Sequence, residues 1–344
     1  MSRAPEGGAA VRPVPHGVPE ARARTVVVAG AVLVGRLLEV TALGGVPAQY
    51  LAAPIYTWVD GAGAAAAVGV RAGRAQVVLA ADVGDDEEGR ACLERLTAAG
   101  IDTTHLRVRT GVATGALSYC LLPSGPQEPV AVTTPPADRT GGLYVPDRDS
   151  YDRLATEEVA ALLARTRPGD CLLLDGFTLA REPELIEAAL EADLQLVADL
   201  RPLPPFAAGS TSASGVQPQL FERIDVAVVD TEGAGMLAES GAMFGSTLVL
   251  DGGYGASWDG ALRSVPEAVA AAGGQYDRWA TVDATSAWAQ HAFCGRLAAE
   301  LAHGRDREEA LDAALLTWWQ QAHVDAGKAL GGYLLGPLAE PEWD

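Results

Sequence analysis

Short runs of β-branched residues and leucine alternate along this chain with longer alanine- and leucine-rich stretches that have helical spacing. This alternation predicts a mostly parallel sheet that is covered by helices on both faces. Runs such as CLLLDG (171–176) are apolar throughout, which is typical of strands buried on both sides. The predicted strands are 25–30, 76–81, 117–122, 130–134, 171–175, 194–199, 225–229 and 247–251. The predicted helices are 61–72, 86–99, 154–166, 182–192, 231–239, 286–303 and 307–327.

The length of 344 residues suits one large α/β domain, which we expect over residues 25–344. Residues 1–24 are rich in proline, glycine, alanine and arginine, and they are predicted to be a disordered leader. Two segments, 36–60 and 107–145, interrupt the alternation with short β-like pieces and Gly/Pro turns. These segments predict a small sheet that projects from the main sheet as a lid.

Charge and cysteine content exclude several classes of function. A net charge of −20 argues against nucleic acid or an anionic membrane as the main partner. The apolar run 25–35 is too short to span a bilayer and is better explained as a first buried strand. The four cysteines are far apart without a CxxC pair, so we expect neither a zinc site nor a disulfide framework. A cytoplasmic protein is therefore expected.

Several predicted strands end in an aspartate, namely at Asp175, Asp199, Asp230 and Asp251. Ligands of open parallel sheets bind beyond the carboxyl ends of the strands, so these residues predict a cleft along that edge. Aspartate is also common in ordinary strand-to-helix turns, which is the alternative explanation for each residue taken singly.

Four stretches, in this order, carry a resemblance to a known family. They are 59–106, which contains GDDEEG, IDVAVVDTEGAGML (224–237), LVLDGGYGASWDG (248–260), and VDATSAWAQHAFCG (282–295), which is followed by REEALDAAL. Together they resemble the PfkB family of sugar and nucleoside kinases, also called ribokinase-like, over almost the whole chain. The resemblance implies a three-layer α/β/α sandwich with a mostly parallel central sheet and a small β lid. It also implies a homodimer that forms through the lid.

The resemblance further implies a mechanism. In this family a Gly-Ala-Gly-Asp turn opens a helix whose backbone N–H groups point at the transferring phosphate. The aspartate removes the proton of the acceptor hydroxyl, and Mg²⁺ with correct positioning does most of the remaining work.

This sequence departs from that motif in either alignment register. Aligned forward from Val282, the motif falls on Ser286, Ala287, Trp288 and Ala289. Aligned backward from Gly295, it falls on residues 288–291 and ends at His291. Neither register supplies the glycines or the aspartate, and both place Trp288 where a glycine belongs. We therefore predict that an indole excludes the phosphate from this anion-hole position.

Two residues remain as candidate bases. His291 stands at the base position in the second register, and an imidazole can act as a general base near neutral pH. Asp283 is the other candidate. The alternative for His291 is a helix-face residue without a catalytic role.

The substrate side of the expected cleft is altered as well. The acid that grips sugar hydroxyls in the family is replaced by Gly35, five residues after Gly30, and a substrate-binding asparagine corresponds to Ala65. The remaining residues expected to line this side are Asp60, Gly61, Gly63, Asp175 and Asp199.

On the nucleotide side, the family's Asn-x-x-Glu appears as Asp230 to Gly233, with Glu232 one place early. One interpretation is that Asp230 and Glu232 together hold hydrated Mg²⁺, and the alternative is that Asp230 caps the helix that follows. A flat base would be accepted beside Asp251, Gly252, Gly253 and Gly255. No metal site is predicted with certainty.

These departures predict a carbohydrate-kinase homologue whose ATP-dependent phosphotransfer is lost or altered, with small-ligand binding, partner binding or a different reaction in the same cleft. The alternative is an active sugar or nucleoside kinase that uses ATP, Mg²⁺ and an atypical base, His291 or Asp283. A dinucleotide-dependent oxidoreductase is disfavoured because no GxGxxG follows the first predicted strand.

Overall fold

A computed structural model describes residues 23–42, 50–121, 130–133, 153–201, 221–240, 244–251, 255–273 and 287–328. The strands in these ranges are β1 (Thr25–Ala29), β2 (Leu33–Ala42), β3 (Tyr50–Asp60), β4 (Gln76–Gly84), β5 (Asp102–Arg109), β6 (Ala116–Leu121), β7 (Val130–Thr133), β8 (Cys171–Asp175), β9 (Gln195–Asp199), β10 (Val226–Asp230), β11 (Thr247–Asp251), β12 (Gly255–Trp258) and β13 (Ala261–Ser264). The helices are α1 (Ala62–Ala72), α2 (Glu87–Ala98), α3 (Thr156–Leu163), α4 (Gly176–Arg181), α5 (Pro183–Glu191), α6 (Thr231–Ser240), α7 (Val265–Ala271), α8 (Ala287–Ala302) and α9 (Arg307–Lys328).

The central sheet has nine strands in the order β13-β12-β11-β10-β9-β8-β1-β4-β5. All strands from β11 to β5 in that order pair in parallel, and β12 and β13 add an antiparallel edge. Successive residues of β1 face opposite sides, because Val26 and Val28 join one core while Val27 and Ala29 join the other. This two-sided burial explains the continuous apolar run that the sequence shows.

Helices cover both faces of this sheet. The core of one face includes residues of α1, α2, α7, α8 and α9, and the core of the other includes residues of α3 to α6. The structure is therefore a three-layer α/β/α sandwich, and the fold class expected from the sequence is confirmed.

A second sheet has four strands in the order β3-β2-β6-β7, and we call it the lid sheet. Its strands β2 and β3 are antiparallel partners from Leu33↔Asp60 onward, and β6 lies parallel to β2. Within the segment 107–145, residues 107–109 end β5 in the central sheet, and the lid strands begin at Ala116.

The GDDEEG motif fastens the lid sheet to the central sheet. Asp86 caps α2 by accepting from the Gly89 N–H at 2.8 Å, and it also accepts from the Thr114 N–H at 2.7 Å, just before β6. Glu88 forms an ion pair with Arg36 of β2, with 2.6 Å between Arg36 Nη2 and Glu88 Oε2. The first turn of α2 therefore holds two lid strands in place.

Helices α1 and α8 approach each other closely at two glycines. A methyl group on Gly69 would overlap the carbonyl oxygen of Ala292, and one on Gly295 would overlap that of Ala66. This close approach fixes the register of α8 against α1, and with it the position of the first turn of α8 beside the sheet.

Candidate functional site at the carboxyl edge of the sheet

The predicted cleft residues of the three central strands lie side by side. Strand β1 ends just before Gly30, and Asp175 of β8 pairs directly with Asp199 of β9. A β-carbon on Gly30 would lie 2.9 Å from Asp175 Oδ2 and 3.2 Å from the backbone of Gly63. The small residues at these positions therefore allow α1 to reach the end of the sheet.

The start of α1 depends on Asp60 and two glycines. Gly61 has a φ of +102°, a conformation that side chains other than hydrogen disfavour. The buried carboxylate of Asp60 accepts from the Gly61 N–H at 2.7 Å, and the Gly63 N–H donates to the Ala31 carbonyl at 2.8 Å. Asp60 thus stabilises the backbone at the start of α1. Ala65 is fully buried one turn later.

Asp175 uses both carboxylate oxygens within the protein. Its Oδ2 accepts from the Ala31 N–H at 2.8 Å, and its Oδ1 accepts from the Thr178 N–H at 2.7 Å as the N-cap of α4. The recess beside Asp175 and Asp199 has a volume of about 10 Å³. That space suits about one water molecule, whereas small-molecule pockets measure about 300–1,000 Å³.

At the same edge of the sheet, Asp199 forms an ion pair with Arg201. No sequence pattern described above predicted a role for Arg201. Arg201 Nε lies 2.9 Å from Asp199 Oδ1, Arg201 Nη2 lies 3.0 Å from Asp199 Oδ2, and both side chains are buried. Burial alone would raise the pKa of Asp199, but Arg201 and then His291 outweigh it and hold that pKa below its ordinary value. Asp199 is therefore ionised in the folded protein.

His291 of α8 completes this contact. Its Nδ1 lies 2.6 Å from Asp199 Oδ2, and its side chain is 12% exposed. Because Asp199 is ionised, Nδ1 donates its proton to this bond, and in the neutral form of the ring Nε2 is then the acceptor nitrogen. A buried carboxylate fixes the tautomer and the orientation of an imidazole in this way in many general-base sites. His291 is thus a positioned imidazole at the edge of the cleft.

Two further residues of α8 hold the guanidinium of Arg201. Arg201 Nη1 donates to Gln290 Oε1 at 2.9 Å, and Arg201 Nη2 lies 3.2 Å from Cys294 Sγ. Burial, followed by the nearby charge of Asp199, raises the pKa of Cys294, so its sulfur stays a thiol. We refer to Asp199, Arg201, Gln290, His291 and Cys294 as the α8 charge cluster.

The predicted anion-hole residues lie at the start of α8, which begins at Ala287. Trp288 is 5% exposed and Ala289 is fully buried, and both lie in or beside the apolar core. Among the described residues, Nε1 of Trp288 has no hydrogen-bond partner. Ser286 and the candidate base Asp283 lie outside the described residues.

At the lid side of the cleft, the indole of Trp58 lies against Gly35. The two residues are cross-strand partners in β2 and β3, and a β-carbon on Gly35 would overlap Cε2 and Nε1 of Trp58. Trp58 is 2% exposed. An acid at position 35 would therefore require the indole to move.

The nucleotide-side residues lie further along the same edge. Asp230 Oδ1 accepts from the Gly233 N–H at 2.6 Å and so caps α6, and the Glu232 and Asp251 side chains are exposed. Gly255 pairs with Asp251, and a methyl group on it would overlap the Arg263 carbonyl. Gly252 and Gly253 lie outside the described residues. Within the described part of the chain, no group of three or more potential metal ligands comes together.

The expected residues thus divide into those that meet and those that do not. Asp175, Asp199 and His291 meet at the ends of β8 and β9, whereas Asp230 and Asp251 lie one and two strands away from β9. Arg201 could have been noticed as a lone cation in the apolar run LQLVADLRP. A charge there requires a buried partner, and an aspartate stands two residues before it.

Among the residues that the structure covers, no helix combines the length and the hydropathy that a membrane span requires.

Comparison with known proteins gives a structural likeness without a sequence match. No protein-family profile matches the chain, and no curated protein sequence matches it. Similar solved structures include the ribokinase of Arabidopsis thaliana in complex with ribose and ATP, with a TM-score of 0.63 and 15% identity over 91% of this chain and 95% of that one. The ribokinase of Thermotoga maritima gives a TM-score of 0.62 and 16% identity over 92% of this chain and 97% of that one.

A third similar structure is an uncharacterised sugar kinase of Pyrococcus horikoshii in complex with ATP. It gives a TM-score of 0.61 and 18% identity over 90% of this chain and 94% of that one. At such low identity these likenesses define the fold alone. The chain therefore has a ribokinase-like fold, and its structural neighbours are sugar kinases.

Proposed function

We propose that this protein is a carbohydrate-kinase homologue in which ordinary ATP-dependent phosphorylation is lost or altered, and that its cleft serves instead for the binding of a small ligand or a partner protein, or for a different reaction. The observation that carries the proposal is the contact of Trp58 with Gly35. The resemblance implies an acid at position 35 that binds sugar hydroxyls. In this protein the indole of Trp58 fills the space that a side chain at that position would need.

The other acids of the cleft support the same proposal. Asp60 and Asp175 accept hydrogen bonds from backbone N–H groups, and Asp199 is bound to Arg201 and His291. A carboxylate that is already satisfied gains little by binding a sugar hydroxyl. The motif at the start of α8 also lacks the glycines of an anion hole and the aspartate that acts as the base. Together these groups raise the rate of phosphoryl transfer by about 10⁴-fold or more.

One observation favours a second candidate function, an active sugar or nucleoside kinase with His291 as the base. The Nδ1 bond to Asp199 leaves Nε2 as the nitrogen that would take the proton of a ligand hydroxyl. The α8 charge cluster would fix the orientation of the ring. ATP and Mg²⁺ belong to this candidate alone, and the ATP and ribose complexes among the structural neighbours agree with it. Asp283 remains the alternative base.

Calorimetry separates the two candidates. Titration with ATP and ADP, with and without Mg²⁺, should show little or no Mg-dependent binding if the nucleotide site is lost. The double variant Trp288→Gly/His291→Asp should gain affinity if the indole merely blocks the site. Tight Mg-dependent ATP binding by the unmodified protein would overturn the first candidate and favour the second.

We also propose a cytoplasmic homodimer that pairs through the lid sheet. Support for the compartment comes from Cys92, Cys171 and Cys294, which are buried and unpaired. Light scattering during size-exclusion chromatography would reveal the dimer, and a monomer at all accessible concentrations would contradict it.

A further inference from the structure

A second cavity lies at the opposite, amino edge of the central sheet. It is formed by the C-terminal end of α1, the last turns of α8 and the turn into α9, and its volume is about 850 Å³. That volume falls within the about 300–1,000 Å³ of typical ligand pockets. Helix α1 runs from the cleft to this cavity over eleven residues, so the two places are roughly 15 Å apart.

Arginines from three parts of the chain line this cavity, although the protein carries a net charge of −20. Arg296 is held in place, because its Nε lies 2.6 Å from Glu300 Oε1 and its Nη1 donates to the Ala72 carbonyl at 2.9 Å. Arg305 makes a longer bond of 3.4 Å to Glu309 and remains 57% exposed. The cavity therefore contains one fixed and one loosely held guanidinium.

Arg74 is the third guanidinium, and it differs from the other two. It is exposed and makes no side-chain hydrogen bond or ion pair with any residue that the structure describes. Its backbone φ is +59°, in the left-handed region that glycine and asparagine normally occupy. An arginine at this strained position thus offers an unpaired cation to the cavity.

Three carboxylates also line this cavity, those of Glu300, Asp306 and Glu309. Asp306 caps α9 by accepting from the Glu309 N–H at 2.9 Å, and the Glu309 carboxylate is 56% exposed. His303 Nε2 donates to the Gly73 carbonyl at 3.1 Å, which joins the end of α8 to the end of α1. The lining therefore combines a free guanidinium with carboxylates that accept hydrogen bonds.

We propose that this cavity binds a small hydroxylated oxyanion, namely a phosphate monoester or a hydroxycarboxylate. Arg74 would bind the oxyanion, because a guanidinium matches two oxygens of a phosphate or carboxylate group. The carboxylates of Glu309 and Asp306 each have one oxygen, Oε1 of Glu309 and Oδ2 of Asp306, that makes no bond to a described residue and would accept a hydrogen bond from a hydroxyl group of the ligand. This site is independent of the function proposed for the cleft.

The test is calorimetric titration of the full chain at low ionic strength with glycerol 3-phosphate, with glycerate, and with glycerol as the uncharged control. We expect saturable binding of at least one anion and none of glycerol. The two anions distinguish a phosphate from a carboxylate ligand. Arg74→Gly should weaken the binding about tenfold or more, and Arg74→Lys should retain part of it because the charge remains.

Two controls make the result decisive. Glycine suits the φ of residue 74, so Arg74→Gly should keep the melting temperature of the unmodified protein or exceed it. Arg90→Gln, which removes an exposed charge of α2 outside the cavity, should leave the affinity unchanged. The proposal is overturned if neither anion binds, or if Arg74→Gly binds as well as the unmodified protein. It is equally overturned if His291→Asn rather than Arg74→Gly abolishes binding, since the anion would then lie in the cleft.

Discussion

Trp58 and Gly35 face each other across β2 and β3, and the indole of Trp58 occupies the space that a side chain at position 35 would need. This relationship links the sequence to the proposed function. The replacement of an expected acid by glycine is matched by an aromatic residue that fills its place, so the two positions form one packed unit.

Gly35→Ala is therefore expected to destabilise the protein by about 1–3 kcal/mol, because the new methyl group would overlap the buried indole. Urea denaturation followed by circular dichroism measures this change. Gly235→Ala is the matched control, since a β-carbon there meets no atom within 4 Å and alanine favours the interior of α6. A Gly35→Ala protein as stable as the unmodified one would contradict the packing described.

Two hydrogen bonds join the guanidinium of Arg201 to the carboxylate of Asp199. They predict that removing Arg201 alone lowers the free energy of unfolding more than removing both residues. Arg201→Met should cost about 3–5 kcal/mol, because it leaves the buried carboxylate of Asp199 without its main partner. The double variant Arg201→Met/Asp199→Leu should recover part of that loss, since no unpaired charge remains. Denaturant midpoints of four proteins, namely the unmodified protein, Arg201→Met, Asp199→Leu and the double variant, test this, and strictly additive losses would argue against a coupled pair.

The same contact predicts that the free energy of unfolding decreases as the solution becomes acidic. The pKa of Asp199 is lower in the folded protein than in the unfolded chain, so the unfolded chain binds the proton more readily. The stabilisation is present above the unfolded pKa of about 4 and is lost as the pH falls towards the folded value. Asp199→Asn should flatten the stability profile below about pH 4, and an unchanged slope would contradict the assignment.

Buried thiols predict the opposite trend in alkali. Burial raises the pKa of Cys92 to about 12, and it also raises the pKa of Cys171 and Cys294. Above about pH 9 the unfolded chain loses these protons while the folded protein keeps them, so stability should fall as the pH rises. Denaturation series between pH 8 and 10.5 on the unmodified protein and on Cys171→Ala, at roughly half-unit steps, would show this. A slope that Cys171→Ala leaves unchanged would refute the contribution of that thiol.

Much of the fold could be predicted from the sequence, because its strands and helices repeat strong periodic patterns. Strand β8 begins and ends at the predicted residues, and α8 differs from its prediction by one residue at each end. Strand β5 was missed because DTTHLRVR is an edge strand in which Leu106 is the buried residue. Helix α7 was missed because it has seven residues, although Ser264 and Glu267 form a capping box that could have indicated it.

The site was harder to predict than the fold. A bond between Asp199 and His291 joins residues 92 positions apart, and its existence depends on how closely α8 approaches α1 and the sheet. Local patterns carry no information on that approach. Asp230, by contrast, caps α6, and helix capping was one of the two roles that the sequence suggested for it.

Phosphoryl transfer itself tests the central claim most directly. The unmodified protein would be incubated with ATP, Mg²⁺ and ribose, fructose, glucose or adenosine, and phosphorus NMR would follow the products. We predict that any phosphorylated product forms at a rate on the order of 10⁴-fold or more below that of an active sugar kinase. Rapid formation of a sugar or nucleoside phosphate that disappears in His291→Asn would contradict the account and establish a kinase with a histidine base.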